Sequence, residues 1–421
     1  MTTTPSVIQI LSRNNYEDQH LVSLPNALPF PALAPSSIRI KTSIFSLTAN
    51  NLMYGRIGHI IRTWEIHPLP SSIPSEYSDP TKFGRIGAWG YATVQESNVP
   101  DIEVDSQIFG LLPIGTLPLD MKVQLNQGLP GQFSEVSKHR ENVMPLYNQY
   151  LFYPPVSGRT SDMKESRGYD ALFQIFFTTS YLINRFAFPW VPAEFLHPSN
   201  IEDNWTPEKG EIDQKTTVLV FADSGKTALA LGYLLKSCRP EGSKPKSVIG
   251  IGSQASRDFA KGTRFYDKTL MYEDDSGDLD EELGLAADSK IVVVEFGSRG
   301  GAAARWANKL RESHDNVVQL IVAGEVVKET PEEALEKFKA RTKTGATVFN
   351  ASAAGVQAVN VLGEKRYSDE LLTEWLAFKN RGLVQGLELV WGVGMEAVGK
   401  GWEKLCKGEV KSDQGLVFYL E

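Results

Sequence analysis

Four short, strongly apolar runs in the second half of the chain constrain its fold more than any other feature. They are TVLVFA at 217–222, SVIGIG at 247–252, KIVVVE at 290–295 and VVQLIVA at 317–323. None alternates as a half-buried strand does, and helix-forming stretches at 226–236, 256–261 and 302–313 separate them. A strand that is apolar on both faces is buried on both faces, so it belongs to a parallel sheet covered by helices. Right-handed crossovers between such strands give a doubly wound, Rossmann-type sheet. Residues 345–351 (GATVFNA) read as a last strand at the edge of that sheet.

The first 155 residues are written in another style. Residues 37–44 (SIRIKTSI) alternate as a half-buried strand does, and further strands are expected at 57–66, 88–96 and 107–112. No long helical period occurs there, and 68–80 is a Pro/Ser loop. A buried helix is expected at 171–186, followed by a linker carrying Pro189, Pro192, Pro198 and Pro207. The tail predicts helices at 369–381 and 397–407 and a closing strand at 415–420. The acidic run 273–282 reads as a solvated loop entering a helix N-terminus, where carboxylates are favoured.

Composition excludes several classes. Of 421 residues, 43 are Lys or Arg and 51 are Asp or Glu, a net charge of −8, which does not suit a protein that coats nucleic acid. Hydrophobic residues at 42% and charged residues at 22% are ordinary globular usage. Only two cysteines, Cys238 and Cys406, are present, too few for a disulfide scaffold or a zinc site without other ligands. The histidines are scattered without metal-ligand spacing, so no metal is expected, and no G-x-S-x-G elbow is present. The most apolar window, 171–192, is interrupted by Gln174, Asn184 and Arg185 and closed by prolines, so no membrane span is expected. The polar start at residues 1–6 lacks a secretory pattern, and a cytoplasmic setting is the expectation.

The most informative junction is Phe221-Ala222-Asp223-Ser224-Gly225-Lys226-Thr227, where the first apolar strand enters a helix. A helix N-terminus presents unbonded N–H groups and the positive end of a dipole, and so suits phosphate. The NTPase loop G-x-x-x-x-G-K-[ST] fits at its end, but its first glycine would fall on Val220 inside the strand. The dinucleotide fingerprint G-x-G-x-x-G is not present either. A helix capped by Ser or Asp with no ligand is the plain alternative. At the end of the second strand, Gly250-Ile251-Gly252-Ser253-Gln254, no carboxylate is found, and Ser253, Arg257 and Lys261 follow. A ribose 2′-hydroxyl calls for an acid there and a 2′-phosphate for positive charge, so a dinucleotide at this site would be NADP. Arg257 and Lys261 are equally readable as an exposed helical face.

The order of segments resembles the medium-chain dehydrogenase/reductase superfamily on its zinc-free, quinone-oxidoreductase-like side. SIRIKTSIFSLTANNLMYGRIG (37–58) looks like the opening strand and substrate loop of that family's catalytic domain. The segment 87–116, with Asp105 and Gly110, is similar to its G-D-x-V-x-G stretch. LFQIFFTTSYLINRF (172–186) looks like its L-T-A-Y-x-x-L helix, and VLVFADSGKTALALGYLLK stands where the family has V-L-V-x-G-A-x-G-x-V-G. Residues 402–420 resemble its closing helix, turn and strand. The glycine fingerprint is replaced by ADSGKT, and residues 117–167 are longer than the family's counterpart. With NQY at 148–150, FTTSYLI at 177–183 and SGKTA at 224–228, the chain looks most like a branch labelled only as a domain of unknown function.

The resemblance implies an α/β fold with a GroES-like β-rich catalytic domain at 1–170, completed by 353–421, and a Rossmann-type domain at 171–352. It implies a zinc-independent NADP(H)-dependent reductase of a carbonyl or enone, in secondary metabolism, with the site between the domains. Tyr54 in the substrate loop is the candidate proton donor, with Asn50 and Asn51 orienting a carbonyl oxygen; all three are equally readable as packing or turn residues. Thr178, Thr179 and Ser180 would line the nicotinamide end. Asp223, Ser224, Gly225, Lys226, Thr227, Ser253, Arg257, Lys261 and Gly297 complete the cofactor set. The altered glycine loop keeps open a non-redox enzyme that has lost the dinucleotide, performing cyclisation, hydrolysis or release of a polyketide-like substrate. A partner subunit without activity is a third reading. Relatives pair the edge strand across a two-fold axis, so a homodimer is expected unless a loop at 352–367 covers that edge.

Overall fold

The computed structural model describes residues 5–25, 30–155, 161–199, 205–325, 327, 329–341 and 345–420. Its six-stranded parallel sheet has the spatial order Lys268–Met271, Ser247–Gly252, Thr216–Phe221, Lys290–Phe296, Val317–Ala323, Thr347–Val348. The first strand lies at the centre, with Val218 paired to Val248 on one side and to Val292 on the other. Val218, Val220, Val292 and Val294 enter one core, and Leu219, Phe221, Ile291 and Val293 enter another. Successive side chains point to opposite faces, so a strand covered on both must be apolar throughout. The first core holds the helix Lys226–Ser237, and the second is built on Trp306 of the helix Ala302–Leu310. The fold class expected from the sequence is the one observed.

The second body is a closed antiparallel barrel. Ser37–Leu47, Gly87–Ser97, Gln107–Pro113, Gln149–Tyr153, Gln132–Glu135 and Leu119–Leu125 follow one another, and the last pairs back to the first through Ser37 and Lys122. Register shifts at Arg39/Ile40 and Thr42/Ile44 bend the 11-residue first strand. One end therefore closes the barrel, while the other receives the tail strand Gln414–Tyr419, with Phe418 opposite Phe45. The strand Glu388–Val393 runs parallel beside the tail strand. A hairpin, Ser6–Ser12 with Gln19–Leu24, flanks the barrel.

The helix Ser161–Leu182, ending in a π-helical turn at Ile183–Ala187, joins the two bodies. Its Ala171 packs in the barrel core and its Leu172 in the sheet core. Asp170 on the same helix accepts 2.7 Å from the Tyr91 hydroxyl of the barrel and pairs with Lys379.

Two expectations are corrected. Residues 57–66 are not a strand: Gly58–Ile61 is a helical turn and Thr63–Glu65 a 3-10 turn, with Arg62 left-handed at φ 60° between them. The preceding segment is also helical, Ala49–Arg56, because Thr48 and Asn51 form a capping box at its start. The covering loop expected at 352–367 is two helices, Ala351–Leu362 capped by Asn350 and Glu364–Asn380, broken at Gly363 with φ 78°. The short strand Thr347–Val348 nevertheless occupies the sheet edge, as expected. The acidic run forms a 3-10 turn and then the helix Leu279–Leu283, whose N-cap Asp278 accepts from Asp280 and Glu281 N–H groups. No described helix is long and apolar enough to cross a membrane.

Candidate functional site

The strand Thr216–Phe221 enters its helix through a turn in which Ala222 is left-handed, at φ 59°. A β-carbon makes that conformation costly, so the turn is held by its surroundings. The Gly225 N–H returns 2.8 Å to the Ala222 carbonyl. The Tyr266 hydroxyl donates 2.6 Å to the Asp223 carbonyl. Gly225 is the N-cap of the 12-residue helix Lys226–Ser237, and no side chain caps that end. Ala228, one turn further on, is fully buried. The turn thus keeps a left-handed start, a residue without a side chain where a pyrophosphate approaches, and a small residue where helix meets strand.

Asp223 is the departure. It is 1% exposed, and its Oδ2 has no hydrogen-bond partner among the described residues. Oδ1 receives a long 3.5 Å bond from Ser256. A β-carbon on Gly252 would lie 2.1 Å from Oδ1, so the glycine at the end of the second strand makes room for this carboxyl. Desolvation pushes Asp223 up to about 7, against the bonds from the Ser224 N–H and the Ser256 hydroxyl.

The other predicted cofactor residues fall on both sides of this turn. Ser253 hydrogen-bonds Ser256 at 3.2 Å. Arg257 is half-buried and Lys261 exposed on the helix Arg257–Thr263, neither in an ion pair with a described residue. Gly297, at φ 108°, follows the fourth strand with its α-carbon packed toward the Gly324 carbonyl. Ser224 and Thr227 are half-buried in the turn itself. Lys226 points away from it: its Nζ donates 3.1 Å to the Gln414 carbonyl of the tail strand. Desolvation pushes its ammonium down to about 8, opposed by Asp413.

A cavity of about 230 Å³ opens beside the long helix, lined by Thr178, Thr179, Leu146, Gln149, Ser352 and Tyr367 among others. It lies where the helix Ala351–Leu362 leaves the C-terminal end of the edge strand, the end at which such sheets bind ligands. Thr178 and Thr179 return their hydroxyl protons to the carbonyls of Gln174 and Ile175, at 3.0 and 3.2 Å, which leaves oxygen lone pairs available. The neighbouring Ser180 hydroxyl meets the Thr227 carbonyl at 2.7 Å. The cavity wall and the turn ahead of the helix Lys226–Ser237 are therefore fastened together. A larger open groove, about 660 Å³, beside Glu364 and Arg366 contains none of the predicted residues.

Tyr54 lies in a separate buried hub and does not line the cavity. Its hydroxyl accepts 3.0 Å from Trp89 Nε1 and hydrogen-bonds the side chains of Asn50 and Tyr147. Burial raises it above the usual phenol value, while these three bonds act the other way. Tyr147 meets it edge-on at 5.6 Å and adjoins Leu146 of the cavity wall. Asn51 is used structurally: it completes the capping box, and its Nδ2 donates 3.0 Å to the Gly87 carbonyl. Trp89 and Tyr147 were not anticipated, since nothing in the spacing of 87–97 or 145–148 marks them. Among the described residues no three or more His, Cys, Asp or Glu side chains gather to hold a metal ion.

Barrel, bridging helix and sheet together define a GroES-like domain joined to a Rossmann-type domain. Solved structures of the same fold include the ETR1P/NADP/crotonyl-CoA complex, 10% identical, TM-score 0.56, with 99% of this chain and 100% of that one covered. The CurF ER cyclopropanase of the curacin A biosynthetic pathway is 12% identical, TM-score 0.54, over 99% and 100% of the two chains. CurA from Vibrio vulnificus in complex with NADPH is 12% identical, TM-score 0.52, over 100% and 99%. Among curated proteins none matches the sequence. The chain belongs to the family described as "Protein of unknown function (DUF2855)", which matches residues 45–411.

Proposed function

We propose that the protein is an NADP(H)-dependent, metal-independent reductase of a small carbonyl or enone. The observation that carries this reading is the Ser180–Thr227 bond of 2.7 Å, which fixes the Thr178–Thr179 cavity beside an uncapped, phosphate-ready helix start. The residues present fit the dinucleotide. N–H groups of the first turn after Gly225 would receive the pyrophosphate. Arg257 and Lys261, beside a strand end without a carboxylate, would receive the 2′-phosphate. NADPH, when bound, supplies a hydride.

This chain's own residues then orient and protonate. Thr178 and Thr179 present hydroxyl oxygens to the nicotinamide end of the cavity. Tyr54 is the proton donor of this reading. Its hydroxyl lies in the buried hub outside the cavity, and burial raises it above the usual phenol value against the bonds with Trp89, Asn50 and Tyr147, so it carries its proton and this reading requires the substrate oxygen to reach the hub. The crotonyl-CoA of the solved ETR1P complex suggests an enoyl thioester as the first substrate to try. The edge strand Thr347–Val348 supports a homodimer, which light scattering reports directly.

The test is NADPH binding followed by turnover. NADPH should raise the melting temperature in a dose-dependent way and NADH less so. Enones or ketones should then consume NADPH. No thermal shift at millimolar NADPH would replace this reading with the non-redox one.

A further inference from the structure

The barrel body contains a buried positive charge that no protein group neutralises. Arg85 is 4% exposed, and its Nε and Nη2 have no partner among the described residues. It forms no ion pair and lies over no aromatic ring there. Desolvation alone pushes its guanidinium down to about 10. His67 is 1% exposed; neither ring nitrogen makes a well-formed hydrogen bond, although the Leu111 carbonyl faces the ring. The two residues are antiparallel bridge partners, so their side chains leave the backbone on the same face, side by side.

The surroundings add charge of the same sign. Burial, and then the nearby Arg140, Arg85 and His139, hold His67 well below its ordinary value, so it is neutral. Arg140 is itself buried, and its one carboxylate, Glu135 at 2.7 Å, balances it alone. Arg85 and Arg140 thus both neighbour His67, while Glu135 pairs with Arg140. A β-carbon on Gly87 would lie 3.1 Å from His67 Nε2, so the glycine leaves space against that ring.

We propose that the interior beside Arg85 and His67 holds one small monovalent anion of halide size as a structural ligand. Water would satisfy N–H groups but leave the charge uncompensated, and an unpaired buried charge costs much more than an unmade hydrogen bond. A bulky organic acid has no route, because both side chains are almost wholly covered. The anion receives the Arg85 Nε and Nη2 hydrogens, with neutral His67 packed beside it. The site belongs to the barrel's stability, and it stands whether or not the reductase reading holds.

The test uses the whole protein. Melting is followed while chloride replaces gluconate at constant ionic strength. Stability should rise with chloride by about 2 °C for each tenfold increase above the dissociation constant. Arg85→Met should abolish that dependence. Crystals of the unaltered protein grown in bromide should show anomalous density between Arg85 and His67, a readout that does not need the variant to fold. Melting that ignores chloride, with waters alone or bromide only elsewhere on the protein, would overturn the proposal.

Discussion

At the turn after Phe221 the polar groups left open belong to the backbone, while around Tyr54 they belong to side chains that already bond one another. The first helical turn after Gly225 offers N–H groups at an uncapped start, and one carboxyl, Asp223, is tucked beneath them. Tyr54, Trp89, Asn50 and Tyr147 form a closed hydroxyl and indole cluster, 2% exposed at Tyr54. A backbone cradle tolerates substitution wherever the new side chain keeps the dihedral angles and points away from the ligand. A side-chain cluster loses a partner with each change. The two regions should therefore answer mutation differently.

The largest effect is expected at the hub. Tyr54→Phe removes the proposed proton donor and should lower kcat by about 10²–10⁴. It also strands the Trp89 N–H, at a cost of about 1–3 kcal/mol in stability. A loss of stability with unchanged kcat would return Tyr54 to packing. Next comes the turn itself. Gly225→Val places branched carbon where the pyrophosphate approaches. With two charge-assisted bonds lost, at about 1.5–3 kcal/mol each, NADPH affinity should fall about 100-fold or more. Titration calorimetry on a variant that still melts cooperatively decides this. Retained affinity would move the dinucleotide away from the turn.

Asp223 sharpens the comparison through pH. Its folded value of about 7 lies above its ordinary 3.8, so the folded state holds the proton more tightly than the unfolded chain. Stability from this group is complete below about pH 4 and is lost as pH rises through 7. The span corresponds to on the order of 4 kcal/mol at most. Asp223→Asn should melt higher than the parent at pH 8 and match it at pH 4, and chemical denaturation across that range measures both. NADPH affinity should also fall several-fold above pH 7 in the parent and stay flat in the variant, since an ionised carboxylate beneath the turn repels phosphate. The smallest effect is expected at Lys226. Its ammonium is engaged by the Gln414 carbonyl. Lys226→Met should change NADPH affinity by less than about threefold and stability by about 1 kcal/mol or less. A tenfold loss of affinity would show that the side chain swings back to the phosphates.

Much of this protein was legible before any coordinates. The apolar runs at 217–222, 247–252, 290–295 and 317–323 announced the parallel sheet, because only a strand buried on both faces dispenses with polar residues. The edge position of residues 347–348 and the helix after Gly225 followed from the same periodicity. The helix Ala49–Arg56 was hidden because its signal is two residues, Thr48 and Asn51, bonding across one turn. The helix Ala351–Leu362 and the first turn of Glu364–Asn380 were hidden because Gly363 interrupts a pattern that read as a loop, whereas the body of the second helix was expected at 369–381.

The linear sequence determined which segments are strands of the sheet, because hydrophobic period is a local property of the chain. It also determined that the turn after Phe221 ends in a glycine able to meet a phosphate. Only the tertiary structure decided where side chains spend their hydrogen bonds. Lys226 looks like a phosphate ligand in one dimension, but it lies against Gln414, 188 residues away. Asp223 looks like a cap, but two glycines of the second strand take it into the interior. Arg85 and His67 stand 18 positions apart and share a buried face through a single bridge. Such pairings depend on contacts between distant segments, and the cost or gain of burying a charge is set only when those segments close around it.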